Sequence, residues 1–208
     1  MKFELKQIQV GQMANFTYLV IDKETKYAAI IDPSWEIEKI LEEIKVYGAK
    51  IKYIINTHTH FDHILGNEQL RELSRSKVIQ HKKSPEKHDI SVNDGDTIAL
   101  GNTLLKFIHT PGHSKDSMCI IIENDIILTG DTLFVGTCGR IDLPGGDSGE
   151  LYDSLFGKLI KLNNELLLYP GHNYGPKSYS TIKEENNTNY ILQPRKKDEF
   201  IRLMNGEE

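Results

Sequence analysis

Only two cysteines, Cys119 and Cys138, occur in the 208 residues. That number is too small for a disulfide framework or a cysteine-rich structural zinc knot, and it fits a reducing compartment. Long apolar runs are missing as well: none reaches the roughly 20 residues that cross a bilayer. The opening "MKFELKQIQV" alternates apolar and charged residues like a strand and lacks the continuous apolar stretch of a secretory signal. The chain is therefore expected to be cytoplasmic, with no membrane partner. In a chain that is not secreted, the sequons at Asn15 and Asn186 are accidental. Positive charge is also in short supply. With 25 Lys and Arg against 30 Asp and Glu, the net charge is -5, which argues against nucleic acid, whose phosphates are held by clustered cations.

Apolar segments of strand length are plentiful: "YAAIID" from Tyr27, "IKYIIN" from Ile51, "LLKFIH" from Leu104, "MCIIIE" from Met118, "IILTGD" from Ile126 and "LLLYPG" from Leu166. Runs this apolar predict strands covered on both faces. "PSWEIEKILEEIKVYG" predicts a helix, with Ser34 as N-cap, Ile37, Ile40, Leu41 and Ile44 at helical spacing, and Gly48 past the end. Two further helices are expected over about 66–76 and 149–162. "LGNT" at Leu100 and "ENDI" at Glu123 read as tight turns in an antiparallel meander, and "HKKSPEKHDISVNDGD" reads as surface loop. This order predicts one α/β layered domain over 1–208, its helices outside sheet, ending in a short helical tail from about 176 to 208.

Histidine is concentrated. Of eight in the chain, three fall within "HTHFDH", His58 to His63, beside Asp62. Clustered imidazole and carboxylate suit a divalent transition metal. Spaced two apart, His58 and His60 point the same way from an extended segment, and Asp62 and His63 could face a second ion. Four apolar runs end in a turn carrying such a group: "IIN" leads to "THTHFDH", "FIH" to "TPGH", "ILT" to "GD" and "LLY" to "PGHNY". Loops at strand ends are where a rigid sheet presents functional groups, so His113, Asp131 and His172 would complete two shells on one edge. The competing reading is a set of loop histidines bonding one another, or a structural zinc. His81, His88 and His109 fit solvent exposure or local hydrogen bonding, and both cysteines fit ordinary buried thiols, remote from the histidine cluster.

"HTHFDH", "TPGH", "TGDTLF" and "YPGH", in that order, resemble the metallo-β-lactamase superfamily from about Phe3 to Asn189. The resemblance implies an αββα sandwich with the metal site at the edge between the sheets. It makes His58, His60 and His113 ligands of one ion, Asp62, His63 and His172 ligands of a second, and Asp131 the bridge. Asp62 and Asp131 are then the candidate catalytic carboxylates. Two divalent ions, Zn²⁺ first with Fe or Mn as alternatives, would lower a water's pKa from about 15.7 to near 7 for attack on an acyl carbon. Thioesters fit because thiolate leaves readily, while ester, lactam and phosphodiester substrates stay open to the same chemistry.

"GDTLFVGTCGRIDLPGGD" and "YPGHNYGPKSYSTIKEENNTN" resemble the glyoxalase II branch, hydrolases of S-acyl glutathiones, and the related persulfide dioxygenases. That likeness implies substrate contacts from Arg140 and Tyr174. Arg140 could equally brace its loop through Asp142 or Asp147. In the dioxygenase alternative one iron rests on His58, His113 and Asp131. Glyoxalase II enzymes carry a C-terminal helical domain with further basic contacts, whereas about 36 residues follow His172 here. Lys196, Lys197 and Arg202 are either a substitute or a solvated helix face. The expected partner is a small thioester or thiol, with a homodimer left open; a metal-binding scaffold without turnover is the non-enzymatic alternative.

Overall fold

The computed structural model describes residues 1–207. The first sheet runs in chain order through β1 (Phe3–Val10), β2 (Asn15–Asp22), β3 (Tyr27–Ile31), β4 (Lys50–Ile55), β5 (Lys77–His81) and β6 (Ile90–Val92). Pairing is antiparallel up to β3 and parallel from β3 to β6. Parallel neighbours need crossovers, supplied by α1 (Ile37–Val46) between β3 and β4, and by α2 (Phe61–Ile64) and α3 (Asn67–Ser74) between β4 and β5.

The second sheet holds the meander β7 (Thr97–Leu100), β8 (Thr103–His109), β9 (Met118–Ile122) and β10 (Ile126–Gly130), then β13 (Leu167–Pro170) and β14 (Ser180–Thr181) at the far edge. Between β10 and β13 lie a small hairpin, β11 (Leu133–Phe134) with β12 (Thr137–Cys138), and α4 (Ser148–Gly157), the crossover that lets β10 and β13 pair in parallel. The chain closes with α5 (Ile182–Thr188) and α6 (Lys197–Asn205).

Strand alternation builds three apolar layers. On β2, Phe16, Tyr18 and Val20 face the space between the sheets, meeting Phe107, Ile120 and Leu128. Leu19 and Ile21 face the other way, onto Ile40, Ile44 and Leu70 beneath the first group of helices. Across the second sheet, Ile121, Ile127 and Leu168 pack on Leu151, Leu155 and Phe200 of α4 and α6. This is the αββα sandwich. Each fully buried leucine or isoleucine contributes about 1.5–3 kcal/mol, so both helix layers are held by their apolar stripes.

Local details depart from the sequence reading. Helix α1 starts at Ile37 with Glu36 as N-cap, while Ser34 is buried and its hydroxyl has no hydrogen-bond partner. Asp32 and Trp35 adopt left-handed φ of 51° and 44°, turning the chain before the helix can begin. At the other end Gly48 takes φ 58°, as expected of a glycine past a helix end. Helix α4 ends at Gly157 and only a single 3₁₀ turn, Leu159–Lys161, continues towards Leu162. The polar stretch read as loop contains β6, and His81 is buried at the end of β5. No helix among the described residues is long and apolar enough to cross a membrane.

Candidate metal centre

All four strand ends singled out in the sequence, those of β4, β8, β10 and β13, bring their groups to one edge of the sandwich. Beyond β4 the chain stays extended through His60 (φ −64°, ψ 147°) and then turns into α2, whose first turn buries Asp62 and His63. His58 and His60 end with ring centroids 4.7 Å apart. His113 follows β8, Asp131 follows β10 and His172 follows β13. Two glycines permit the convergence. Gly130 has φ 48°, and a Cβ there would sit 2.5 Å from Thr57 Oγ1. A Cβ on Gly171 would stand 2.3 Å from Asp131 Oδ1, so only glycine lets the His172 loop approach that carboxylate.

Three overlapping groups of ligand atoms lie within 4.8 Å: His58, His60 and His113; His58, His63 and Asp131; Asp62, His63 and His172. Asp131 lies between the sets, with Oδ1 3.5 Å from His63 Nε2, and Oδ2 3.6 Å from His113 Nε2 and 3.2 Å from His172 Nε2. Asp62 Oδ2 is 3.5 Å from His63 Nε2 and 3.4 Å from His172 Nε2.

The backs of the rings fix their orientation. His113 Nδ1 donates to the Arg140 carbonyl at 2.7 Å, and His172 Nδ1 to the Met13 carbonyl at 2.9 Å. His63 Nδ1 meets Asp32 Oδ2 at 3.0 Å, and His58 Nδ1 meets Thr57 Oγ1 at 3.2 Å. With Nδ1 engaged, Nε2 is the atom presented to the centre, the usual outer-shell arrangement of metal-ligating histidine. Buried His58 Nε2 and Asp131 Oδ1 have no hydrogen-bond partner. Orphaned buried lone pairs within one cluster of ligand atoms are what a cation satisfies, so the donor set fits two divalent ions.

Burial and the neighbouring carboxylates act on these rings in opposite directions. Burial and the adjacent His63 ring hold His58 well below the ordinary imidazole range, leaving it neutral. Burial also opposes charge on His63, but Asp131, Asp32 and Asp62 outweigh it and raise His63 to about 9. Burial would raise Asp131; the imidazoles of His63, His172 and His58 overcome it and keep the carboxyl far below its usual range.

Arg140 and Tyr174 border the same cavity of about 490 Å³ that opens over His60, His113 and His172. Tyr174 stacks on His172 at 4.6 Å and 11°. Arg140 makes a two-pronged ion pair with Asp142, both contacts at 2.5 Å, which is the loop-bracing arrangement, with Asp142 as the partner. Lys196, Lys197 and Arg202 do not line the cavity, and Lys197 pairs with Asp153 at 2.6 Å. Both cysteines are buried, and burial pushes Cys119 up to about 11 and Cys138 up to about 12, so neither thiol is a nucleophile. Cys138 is nonetheless not remote from the cluster: it lines this cavity, with its sulfur 3.9 Å from that of Met204.

Two supporting residues escaped the sequence reading. Asp32 accepts hydrogen bonds from the Thr57 amide (2.7 Å), the Thr57 hydroxyl (2.6 Å) and the His63 ring. Its signal was present, since "YAAIID" is a fifth apolar run ending in a carboxylate. Asn15 donates to Asp62 Oδ2 at 2.9 Å and to the Asp62 carbonyl at 3.1 Å, across 47 residues, with no local signal.

The model of the metallo-beta-lactamase superfamily matches residues 10–86 and 74–172. The human mitochondrial persulfide dioxygenase ETHE1 is 33% identical over 206 residues, 96% of this chain and 80% of that protein. A hydroxyacylglutathione hydrolase of Pelagibacter ubique is 33% identical over 193 residues, 90% of this chain and 79% of that protein. The crystal structure of ETHE1 from Myxococcus xanthus superposes with a TM-score of 0.93 at 32% identity, over 97% of this chain and 90% of the other.

Proposed function

Because the chain belongs to the metallo-β-lactamase superfamily, we propose that it is a metal-dependent hydrolase of the glyoxalase II type, cleaving a thioester with water into a carboxylic acid and a free thiol. The observation that carries this reading is the Asp131 carboxylate, which stands between the two imidazole sets, Oδ1 against His63 and Oδ2 against both His113 and His172. In this reading His58, His60 and His113 hold one cation, Asp62, His63 and His172 hold the other, and Asp131 is shared. The chemistry that divalent cations, zinc first, would supply there is an acidified water and a polarised acyl carbonyl.

The chain's own residues do the rest. Asn15 anchors Oδ2 of Asp62, leaving Oδ1 to take the proton that the attacking water loses. Arg140 and Tyr174 stand at the same opening and bind the thiol portion. A guanidinium already bonded to Asp142 must exchange that partner for a substrate carboxylate, a swap its planar fork permits. Apolar side chains around the opening keep bulk water from the reacting carbon.

A second reading is a persulfide dioxygenase using one iron at His58, His113 and Asp131, favoured by the likeness to ETHE1 over 97% of the chain. Elemental analysis of untagged protein separates the two, when combined with thiol release from a small panel of S-acylglutathiones and oxygen uptake with glutathione persulfide. Two metal equivalents and thiol release are expected; one iron with oxygen consumption and no thioester cleavage would replace the first reading by the second.

A further inference from the structure

The cavity over the metal ligands has a composition that a substrate must match. Apart from the metal ligands, Arg140 and Tyr174, its lining is Met13, Phe61, Phe134, Cys138, Leu143 and Pro144. Among the described residues no serine, threonine, asparagine, glutamine or lysine contributes. Phe61 is 59% exposed and Met13 41% exposed, although both stand beside a buried ionic centre. Phe61 lies between the ligand positions His60 and Asp62 at the start of α2, so its ring reaches the opening because its neighbours are drawn inwards. Arg140, the one Lys or Arg of the rim among the described residues, is neutralised by Asp142. A bulky apolar wall continuous with a hydrolytic centre leaves apolar surface wet until a ligand covers it.

We infer that the acyl group this chain accepts is an apolar one, a chain of several carbons without polar substituents, seated against Met13, Phe61, Leu143 and Pro144. The inference rests on the thioesterase reading and deepens it. A hydroxyacyl group finds no side-chain donor in the lining other than Tyr174 and the Arg140 already engaged, whereas each methylene laid on the wall gains the free energy of leaving water. That gain is about 0.8 kcal/mol per buried CH₂, or roughly fourfold in affinity.

The test uses the zinc-loaded protein with two series of probes. S-acetyl-, S-butyryl- and S-hexanoylglutathione report kcat/KM, and the non-hydrolysable S-methyl-, S-butyl- and S-hexylglutathione report affinity by calorimetry. Both series should climb by roughly three- to fourfold per methylene until the wall is covered. Phe61→Ser and Leu143→Ser should each lower the hexanoyl-to-acetyl ratio by about tenfold. Phe61 is solvent-exposed, so its variant keeps the fold. Turnover that is independent of chain length, with flat affinities, would overturn the apolar wall as a specificity element and leave the thioesterase intact. Affinities that climb without turnover of any thioester would leave the wall standing and remove the hydrolase.

Discussion

Histidines meet at two places in this molecule, and only one of them has the makings of a metal centre. At the sheet edge five imidazoles surround Asp62 and Asp131, and His58 Nε2 is buried with no partner. On the same sandwich His81 and His109 stack face to face, 3.9 Å apart and 7° from parallel. That pair is self-sufficient: the Lys83 amide donates to His81 Nδ1 at 3.3 Å, and His109 Nε2 donates to the Lys115 carbonyl at 3.0 Å. Among the described residues neither ring belongs to a group of convergent ligand atoms. Crowding of imidazoles is therefore not the diagnostic. What separates the two places is carboxylate between the rings: Asp62 and Asp131 stand within 3.2–3.6 Å of the inward nitrogens of His63, His113 and His172, and no such group lies between His81 and His109 among the described ligand clusters.

The most drastic way to break that contrast is to remove a group from each place. His58→Ala or Asp131→Ala should lose bound metal and lower kcat/KM by about a thousandfold or more, because the ligands act as a unit. His81→Ala should retain its metal and stay within about threefold of the parent. Metal content by elemental analysis, read beside thioester turnover, decides the matter; an active Asp131→Ala protein would refute the two-ion mechanism.

Arg140 sharpens the contrast from the cavity side. Its main-chain carbonyl orients His113 while its side chain pairs with exposed Asp142, so truncating the side chain spares the metal ligands. Arg140→Ala should raise KM for a glutathione thioester about tenfold and change kcat by less than about twofold, the pattern of a contact made equally in ground and transition states. An unmoved KM would leave Arg140 as a brace for its own loop.

The clustering of these histidines and aspartates was legible because each follows an apolar run at short range, and runs of that kind fold into strands whose ends share an edge. His113, Asp131 and His172 needed no knowledge of tertiary pairing beyond that rule. Ser34 was misread because a capping preference says nothing about Asp32 and Trp35, whose left-handed turn postpones the helix. His81 makes the local hydrogen bond expected of it, from the Lys83 amide, but it is not in a surface loop: it opens a charged segment, yet β5 lies between β4 and β6 in parallel pairing, which covers its last residue. Asn15 was invisible because the hydrogen bonds that place it against Asp62 span 47 residues. Short-range pattern reveals which groups are offered; the groups that hold them in place come from distant strands.

The smallest expected effect belongs to the stacked pair. Burial and the adjacent His109 ring push His81 down to about 4, against the pull of Asp116 and with help from Lys83 and Lys82. An unfolded imidazole titrates near pH 6.5. Between about 6.5 and 4 the unfolded chain therefore holds more protons at this residue than the folded one, and stability falls as pH falls. The contribution of neutral His81 is complete above about pH 6.5 and is lost on the way to 4. His81→Phe preserves a stacking ring that cannot titrate, so its denaturation midpoint should decline less steeply across that window than the parent's. Loss of metal at acid pH is common to both proteins and cancels in the difference of slopes. Parallel slopes would show that His81 takes up no extra proton on unfolding, and the acid sensitivity would then belong to the ligand cluster alone.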